Sequence, residues 1–388
     1  MNSMYFTEEH NLFRKSLQDF LKKEVVPHID EWERTGTIDR FIWKKFGEMG
    51  FFGINYPEAY GGLNLDLFYT VILQEELQKI NSGGFAAAIW AHVYLAMTHL
   101  NAEGDENIKQ HYLAPSISGE KIGCLCITEP SGGSDVAGMR TTAVKEGDYY
   151  VVNGSKTFIT NGIYSDYLVV AAKTNPELGN KGLSIFVVDR DTEGISATKL
   201  DKLGWRASDT AEIAFDNVKI PTDNLLGVEN QGFAYIMQHF SLERLVMGIN
   251  AHARAEYALE YALNYMSERT TFGKPLNKYQ ALRHKFVDLY SDMEICKQFN
   301  YSVAYRLNQG KYVVKEATMA KLKSTKMADE VVYECLQFLG GYGYMEDYPL
   351  ARLLRDSRLG PIGGGTSEIL REILSKVIID KKEYKPAT

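Results

Sequence analysis

Cysteine is scarce in this chain. Four residues in 388 exclude a disulfide-framed fold, which needs paired thiols at high density. Cys124 and Cys126 stand two apart, so in a strand they share one face and read as core packing; a metal or redox pair usually wants two intervening residues. Cys296 and Cys335 fall in helical runs and are expected to be buried. Basic charge is in deficit as well: Lys+Arg number 43 against Asp+Glu 50, a net charge of −7. That balance argues against binding a nucleic-acid backbone, although a local basic cluster would still serve one anionic cofactor. No apolar run reaches the ~18 residues of a membrane span. The opening MNSMYFTEEHNLF has no positive n-region and no apolar h-region, and its early acids argue against a transit peptide. The expectation is a cytoplasmic protein. Also missing are a GxGxxG after a strand, a Walker A sequence, HExxH and GxSxG. The eight histidines are scattered singly, so no metal is expected.

What remains is ordinary globular composition, 45% hydrophobic and 24% charged, in a chain long enough for two or three domains' worth of core. Residues 1–122 read as helical. Leu12, Phe13, Leu17, Phe20, Leu21 and Val25 recur at helix spacing behind Thr7 as N-cap, and Pro27 ends or bends that helix. Phe41 to Phe52, Leu65 to Ile80 and Phe85 to Leu100 continue the pattern around a turn-rich loop at 56–62. Residues 123–230 change character. YYVV, FIT, YLVVAAK, LSIFVVD and AEIAF are β-branched or aromatic, and Asn153-Gly154 signals a hairpin. Strands so spaced, with no helices between, predict an antiparallel β-barrel-like or sandwich domain. Residues 231–388 return to long amphipathic helices, Arg244 to Glu268, Lys278 to Leu307 and Val313 to Leu339, which suits a four-helix bundle. The predicted class is α+β, multidomain, in the order α, β, α.

Five short runs carry candidate chemistry, and each has a plain structural reading. Thr128-Glu129-Pro130-Ser131-Gly132-Gly133-Ser134-Asp135 is a polar turn leaving a strand, yet its small residues would let backbone N–H groups approach a pyrophosphate. In Phe158-Ile159-Thr160-Asn161-Gly162 the aromatic and the hydroxyl would otherwise be core and strand decoration. Arg269-Thr270-Thr271-Phe272-Gly273-Lys274, with Gln280 eleven residues past the arginine, offers a guanidinium fork suited to phosphate, or simply a helix-end arginine. Gln337-Phe338-Leu339-Gly340-Gly341-Tyr342-Gly343-Tyr344 is a helix end followed by a glycine-rich turn. The last run is RDSRLGPIGGGTSEILREIL, which contains Gly364, Gly365, Thr366 and Glu368.

Taken together and in this order, the runs resemble the signatures of the acyl-CoA dehydrogenase family over nearly the whole chain. The resemblance implies that family's fold and FAD as cofactor. It places Cys126, Thr128, Gly133, Ser134, Phe158, Thr160, Thr366 and Glu368 on the flavin side. Arg269, Thr271, Phe272, Gln280, Gln337, Gly340 and Gly341 are implied to hold the pyrophosphate and adenosine part, reached from a neighbouring subunit. A homo-oligomer, a tetramer, is therefore implied. One departure is informative. The family's usual general base precedes Gly-Thr in the last run, and here that position is Gly364, which has no side chain. The long-chain and isovaleryl-CoA dehydrogenases carry the base in an E-R-L motif on another helix, and Glu243-Arg244-Leu245 matches it. Gly364 keeps its implied backbone role, an N–H that holds the thioester carbonyl oxygen.

Glu243 is read at the start of a helical run, where a first-turn acid is also favoured by the helix dipole. As a base it should sit among apolar groups with a raised pKa, with Arg244 an organiser on the substrate side and not its ion-pair partner. Ser134 and Gly365 are implied to contact substrate, and Ala87, Ala88 and Ala91 the far end of the acyl pocket, leaving depth for a medium or long straight chain. The implied reaction is α,β-dehydrogenation of a saturated acyl-CoA to the trans-2-enoyl-CoA, as in fatty-acid β-oxidation, with the β-hydride going to flavin N5 and electrons on to an electron-transfer flavoprotein. The alternatives are an oxygen-using acyl-CoA oxidase or flavin monooxygenase, and a non-catalytic flavin- or CoA-binding scaffold.

Overall fold

A computed structural model describes residues 4–383. Helix α1 (Glu8–Phe20) opens with Thr7 accepting from the His10 N–H, the expected cap, and a tighter turn containing Pro27 bends the helical stretch, which runs on to Thr35. Helices α2 (Arg40–Glu48), α3 (Leu67–Lys79), α4 (Gly83–Trp90) and α5 (Met97–Glu103) follow. Between α4 and α5 the chain widens into a π-turn over Ala91–Ala96, a form frequent at functional sites. Among the described residues no helix is long and apolar enough to cross a membrane.

Eight strands form one sheet: β1 (Gly123–Cys126), β2 (Thr142–Glu146), β3 (Tyr149–Thr160), β4 (Tyr167–Lys173), β5 (Leu183–Asp189), β6 (Ile195–Lys199), β7 (Thr210–Pro221) and β8 (Leu225–Leu226). They run in the order β6-β7-β3-β2-β4-β5-β8, with β1 beside β4. Pairing is mostly antiparallel, but β4 runs parallel to β1 and touches β2 in parallel at Thr142 and Lys173. Asn153-Gly154 is not a hairpin. Strand β3 runs straight through it, and the glycine instead absorbs a register shift against β7; a Cβ there would strike Thr141, so the residue serves a bulge and a close backbone approach. Cys124, Cys126 and Cys335 are buried as expected, whereas Cys296 is only half-buried.

Helix α6 (Gly232–Glu268) is 37 residues long, about 56 Å at helical rise. It packs along α7 (Gln280–Asn308) and α8 (Val314–Leu339), with α9 (Pro349–Ser357) and α10 (Ser367–Ile378) against α8. Ala251, Ala255, Ala258 and Ala262 are buried on α6, and such small side chains let helices approach closely. Buried polar bonds lock α6 to the N-terminal helices: His252 Nε2 lies 3.2 Å from Glu75 Oε1, and Arg254 donates to Gln78 Oε1 at 2.8 Å.

Candidate active site

Glu243 does not begin its helix. It is the twelfth residue of α6, because the helical register starts earlier, at Gly232; the first-turn dipole reading therefore falls away. The side chain is only 7% exposed. Burial pushes its pKa up to about 7, although Arg244 and Lys321 both pull the other way. Arg244 is itself buried, donates to Thr318 Oγ1 at 3.4 Å and lies over the Phe240 ring. Its charge is thus turned toward α8.

Gly364 sits directly against the carboxylate. Its φ is +61°, and a Cβ built on it would lie 2.3 Å from Met247 Sδ and 3.1 Å from Glu243 Oε1. A side chain at 364 would therefore enter the space that Glu243 fills. Among the described residues no acceptor takes up the Gly364 N–H, so that donor is free for an oxygen in the crevice. Gly365 also has positive φ, and its carbonyl accepts from Lys321 Nζ at 2.6 Å. Thr366 caps α10 by accepting from the Ile369 N–H, and Glu368 is exposed and paired with Arg371.

Lys321 is fully buried and belongs to the site, though its sequence reading missed it. Burial pushes its pKa down to about 8, partly restored by Glu243. The signal was there: a lysine on the buried stripe of α8 with Ala317, Ser324 and Ala328 is out of place unless something holds its charge. Met247, one turn beyond Glu243, was missed for the opposite reason, since a methionine at helix spacing looks like any core residue.

Behind Met247 lies an internal cavity of about 20 Å³, lined by Ala87, Trp90, Met247, Asn250, Ala251 and Arg254 among others; that is close to the least space a water needs. Of the three alanines expected at the acyl end, only Ala87 lines it. The Ala88 carbonyl is turned to Asn161 Nδ2 at 2.9 Å. Ala91 falls where the π-turn begins and the helix face shifts.

Of the residues expected on the flavin side, Thr128, Phe158 and Thr160 lie in two neighbouring runs at one end of β3. The loop 128–135 is anchored by Glu129, whose carboxylate accepts from Arg140 N at 2.6 Å, Thr141 N at 2.9 Å and the buried Lys156 Nζ at 2.9 Å. Burial opposes the charge on Glu129, but Lys156 and those donors hold its pKa at about 2. The loop's tip, Gly133 and Ser134, is exposed. Thr128 is tied to the neighbouring run by the Thr157 N–H donating to its carbonyl at 2.8 Å. Phe158 is 70% exposed with φ +61°, at the second register shift of β3. A bulky residue rarely adopts that backbone; here it turns an aromatic face outward, beside the half-buried Thr160. Cys126 is fully buried, so only its backbone can face a cofactor.

Most of the residues expected at the pyrophosphate and adenosine part come together elsewhere. Arg269, Thr271, Gln337, Gly340 and Gly341 line one open pocket of about 620 Å³, and the Arg269 guanidinium lies over the Tyr342 ring, 5.7 Å from its centre. A Cβ on Gly340 or Gly341 would meet nothing within 4 Å, so the turn leaves room for a ligand. Phe272 and Gln280 do not line this pocket: Phe272 forms the tip of the hairpin between Thr270–Thr271 and Lys274–Pro275, 99% exposed with φ +47°, and Gln280 begins α7. The outward aromatic beside accessible loop amides suits a flavin ring and its phosphates, and the separate open pocket with its arginine suits a phosphate of its own.

Three family models match in order: the acyl-CoA dehydrogenase N-terminal domain over residues 7–120, middle domain over 124–218 and C-terminal domain over 230–379. The chain is 38% identical to the mitochondrial long-chain specific acyl-CoA dehydrogenase of Sus scrofa over 380 residues, 97% of this chain and 88% of that one. It is 36% identical to the mitochondrial isovaleryl-CoA dehydrogenase of Solanum tuberosum over 383 residues, 98% and 93% of the two chains. A crystal structure of acyl-CoA dehydrogenase from Geobacillus kaustophilus superposes with a TM-score of 0.95 at 41% identity, covering 97% of this chain and 100% of that one. With the same three domains and likeness along almost its full length, this chain belongs to the acyl-CoA dehydrogenase family, FAD-dependent oxidoreductases acting on acyl-CoA.

Proposed function

We propose that this protein removes two hydrogens from a saturated acyl-CoA, giving the trans-2-enoyl-CoA, with Glu243 as the general base. One observation carries the reading: a buried carboxylate with pKa raised to about 7 lies against a glycine whose N–H lacks an acceptor among the described residues. The Gly364 N–H receives the thioester carbonyl oxygen and so acidifies the α-carbon. Glu243, poised near neutral pH, takes the α-proton. Lys321 fixes the Gly365 carbonyl and with it the loop that presents that N–H. Met247 and Trp90 bound the acyl end. Bound FAD supplies the hydride acceptor, held by Thr128, Ser134, Phe158 and Thr160 on the ring side.

Arg269 stands 26 residues beyond Glu243, at the C-terminal end of the same helix, about 39 Å away at helical rise. One cofactor does not span that distance, so we place Arg269, Gln337 and Gly340 on the flavin of a second copy, in a homotetramer. The exposed Phe272, Val287, Tyr290 and Ile295 support a covered face there. In this reading the regions 1–122, 123–230 and 231–388 act as three domains of a cytoplasmic enzyme of fatty-acid oxidation, passing electrons to an electron-transfer flavoprotein.

Anaerobic mixing with saturated acyl-CoA thioesters of graded length tests the proposal. Flavin absorbance should bleach with at least one of them and enoyl-CoA should appear. A protein that holds FAD yet bleaches with none would overturn it. Rapid oxygen use without an added acceptor would assign it to the oxidases.

A further inference from the structure

Two of the eight histidines do meet. His99 and Glu103 stand four residues apart on α5, which puts them on one helix face. His239 reaches the same point from α6, one turn before Glu243. His99 Nδ1 lies 3.2 Å from Glu103 Oε2 and His239 Nε2 lies 2.8 Å from Glu103 Oε1. The two rings meet edge to face at 4.8 Å. His99 is buried and Glu103 half-buried with its side chain turned inward, whereas the His239 side chain is 17% exposed. As they stand, the three groups hold the N-terminal helices to α6 by hydrogen bonds alone.

We infer that His99, Glu103 and His239 form a site for a divalent transition-metal ion, best matched to Zn²⁺. Two imidazoles and one carboxylate are a common zinc donor set, with a fourth position left to water. Bonds of about 2.0–2.2 Å at tetrahedral angles place ligand atoms about 3.4 Å apart. The three ligand atoms, one from each residue, all lie within 4.8 Å of one another; the carboxylate already meets His99 Nδ1 with one oxygen and His239 Nε2 with the other, both closer than the tetrahedral spacing. Drawing all three ligand atoms onto one ion shortens any one separation by roughly 1.4 Å at most. The partly exposed edge at His239 gives the ion its way in. A bound ion would pin the first turns of α6 to α5, beside the turn that carries Glu243. The inference does not depend on the proposed reaction, because the ligands are not the groups assigned to it.

The test uses the full-length, FAD-loaded protein, stripped with a chelator and titrated with buffered Zn²⁺, then with Co²⁺ as a spectroscopic probe. Wild type should bind one equivalent more than His239→Gln, which should bind at least ~10-fold more weakly at this site. Glu103→Gln should behave likewise, and Co²⁺ should give the visible absorption of a four-coordinate ion in wild type alone. The idea is sunk if wild type shows no saturable binding, or if His239→Gln, with its flavin spectrum intact, binds as wild type does. If Glu103→Gln fails to fold, the titrations of wild type and His239→Gln still decide the matter.

Discussion

The crevice at Glu243 and the pocket at Arg269 lie toward opposite ends of one helix and are built in opposite ways. The first is closed: its carboxylate and its lysine are buried, and the cap of α10 closes the loop beside them. The second is open, with Arg269 exposed and Phe272 almost wholly in solvent on a left-handed backbone. A low-dielectric wall is what shifts a pKa, so the carboxylate suited to proton transfer stands at the closed end. An aromatic left outside on a left-handed backbone suits the contact with a second copy proposed above.

The largest effect should come from the closed end. Glu243→Gln should keep FAD and lose at least ~10²-fold in turnover, read by anaerobic bleaching and steady-state assay; near-normal turnover would remove Glu243 from the mechanism. At the open end, Arg269→Ala should weaken FAD binding by roughly 10- to 100-fold, the scale of one charge-assisted phosphate contact, measured as flavin retained through gel filtration. The comparison sharpens when the two variants are co-refolded. If Arg269 serves another copy's flavin, mixed oligomers should regain activity that neither variant has, whereas two independent failures within each chain would leave the mixture inactive.

The pH profile comes next in size. With Glu243 needed as carboxylate and its pKa near 7, kcat/KM should fall about tenfold per unit below pH 7. The same shift sets a stability trend. A folded-state pKa raised above the ordinary 4.5 means the folded chain binds more protons than the unfolded one between those values. This contribution is therefore full below about 4.5 and lost as pH rises through about 7. Glu243→Gln should accordingly unfold at higher temperature than wild type at pH 8, and not at pH 4. The smallest effect is expected from Lys321→Met. Loss of a cation that pulls the Glu243 pKa down should move the acid limb to higher pH and cost a few-fold in turnover at pH 7. An unmoved limb would limit Lys321 to holding the Gly365 carbonyl.

The sequence made the helices and the candidate base legible for different reasons. Thr7, Pro27 and the apolar spacing of α1 act locally, so the structure repeats them. The pairing of an absent side chain at 364 with a present one at 243 was visible as two departures that agree. Contacts made across the chain were not legible. Asn153-Gly154 has hairpin chemistry, but its neighbours on β7 continue past it and convert it to a bulge. Ala88 and Ala91 have the right size for a pocket wall, and nothing in their local sequence announces that the Ala88 carbonyl meets Asn161 or that a π-turn begins at Ala91. His99 and His239 are 140 positions apart, and nothing in either neighbourhood announces the other.

The tight space at 364 has a consequence for any exchange of side chains there. With Met247 and Glu243 where they are, a side chain carried by the loop at 364 meets the methionine sulfur first and the carboxylate second, on a backbone of positive φ that strains any residue but glycine. Shifting an acid from one strut of the scaffold to the other therefore involves the residue at 247 as well as those at 243 and 364.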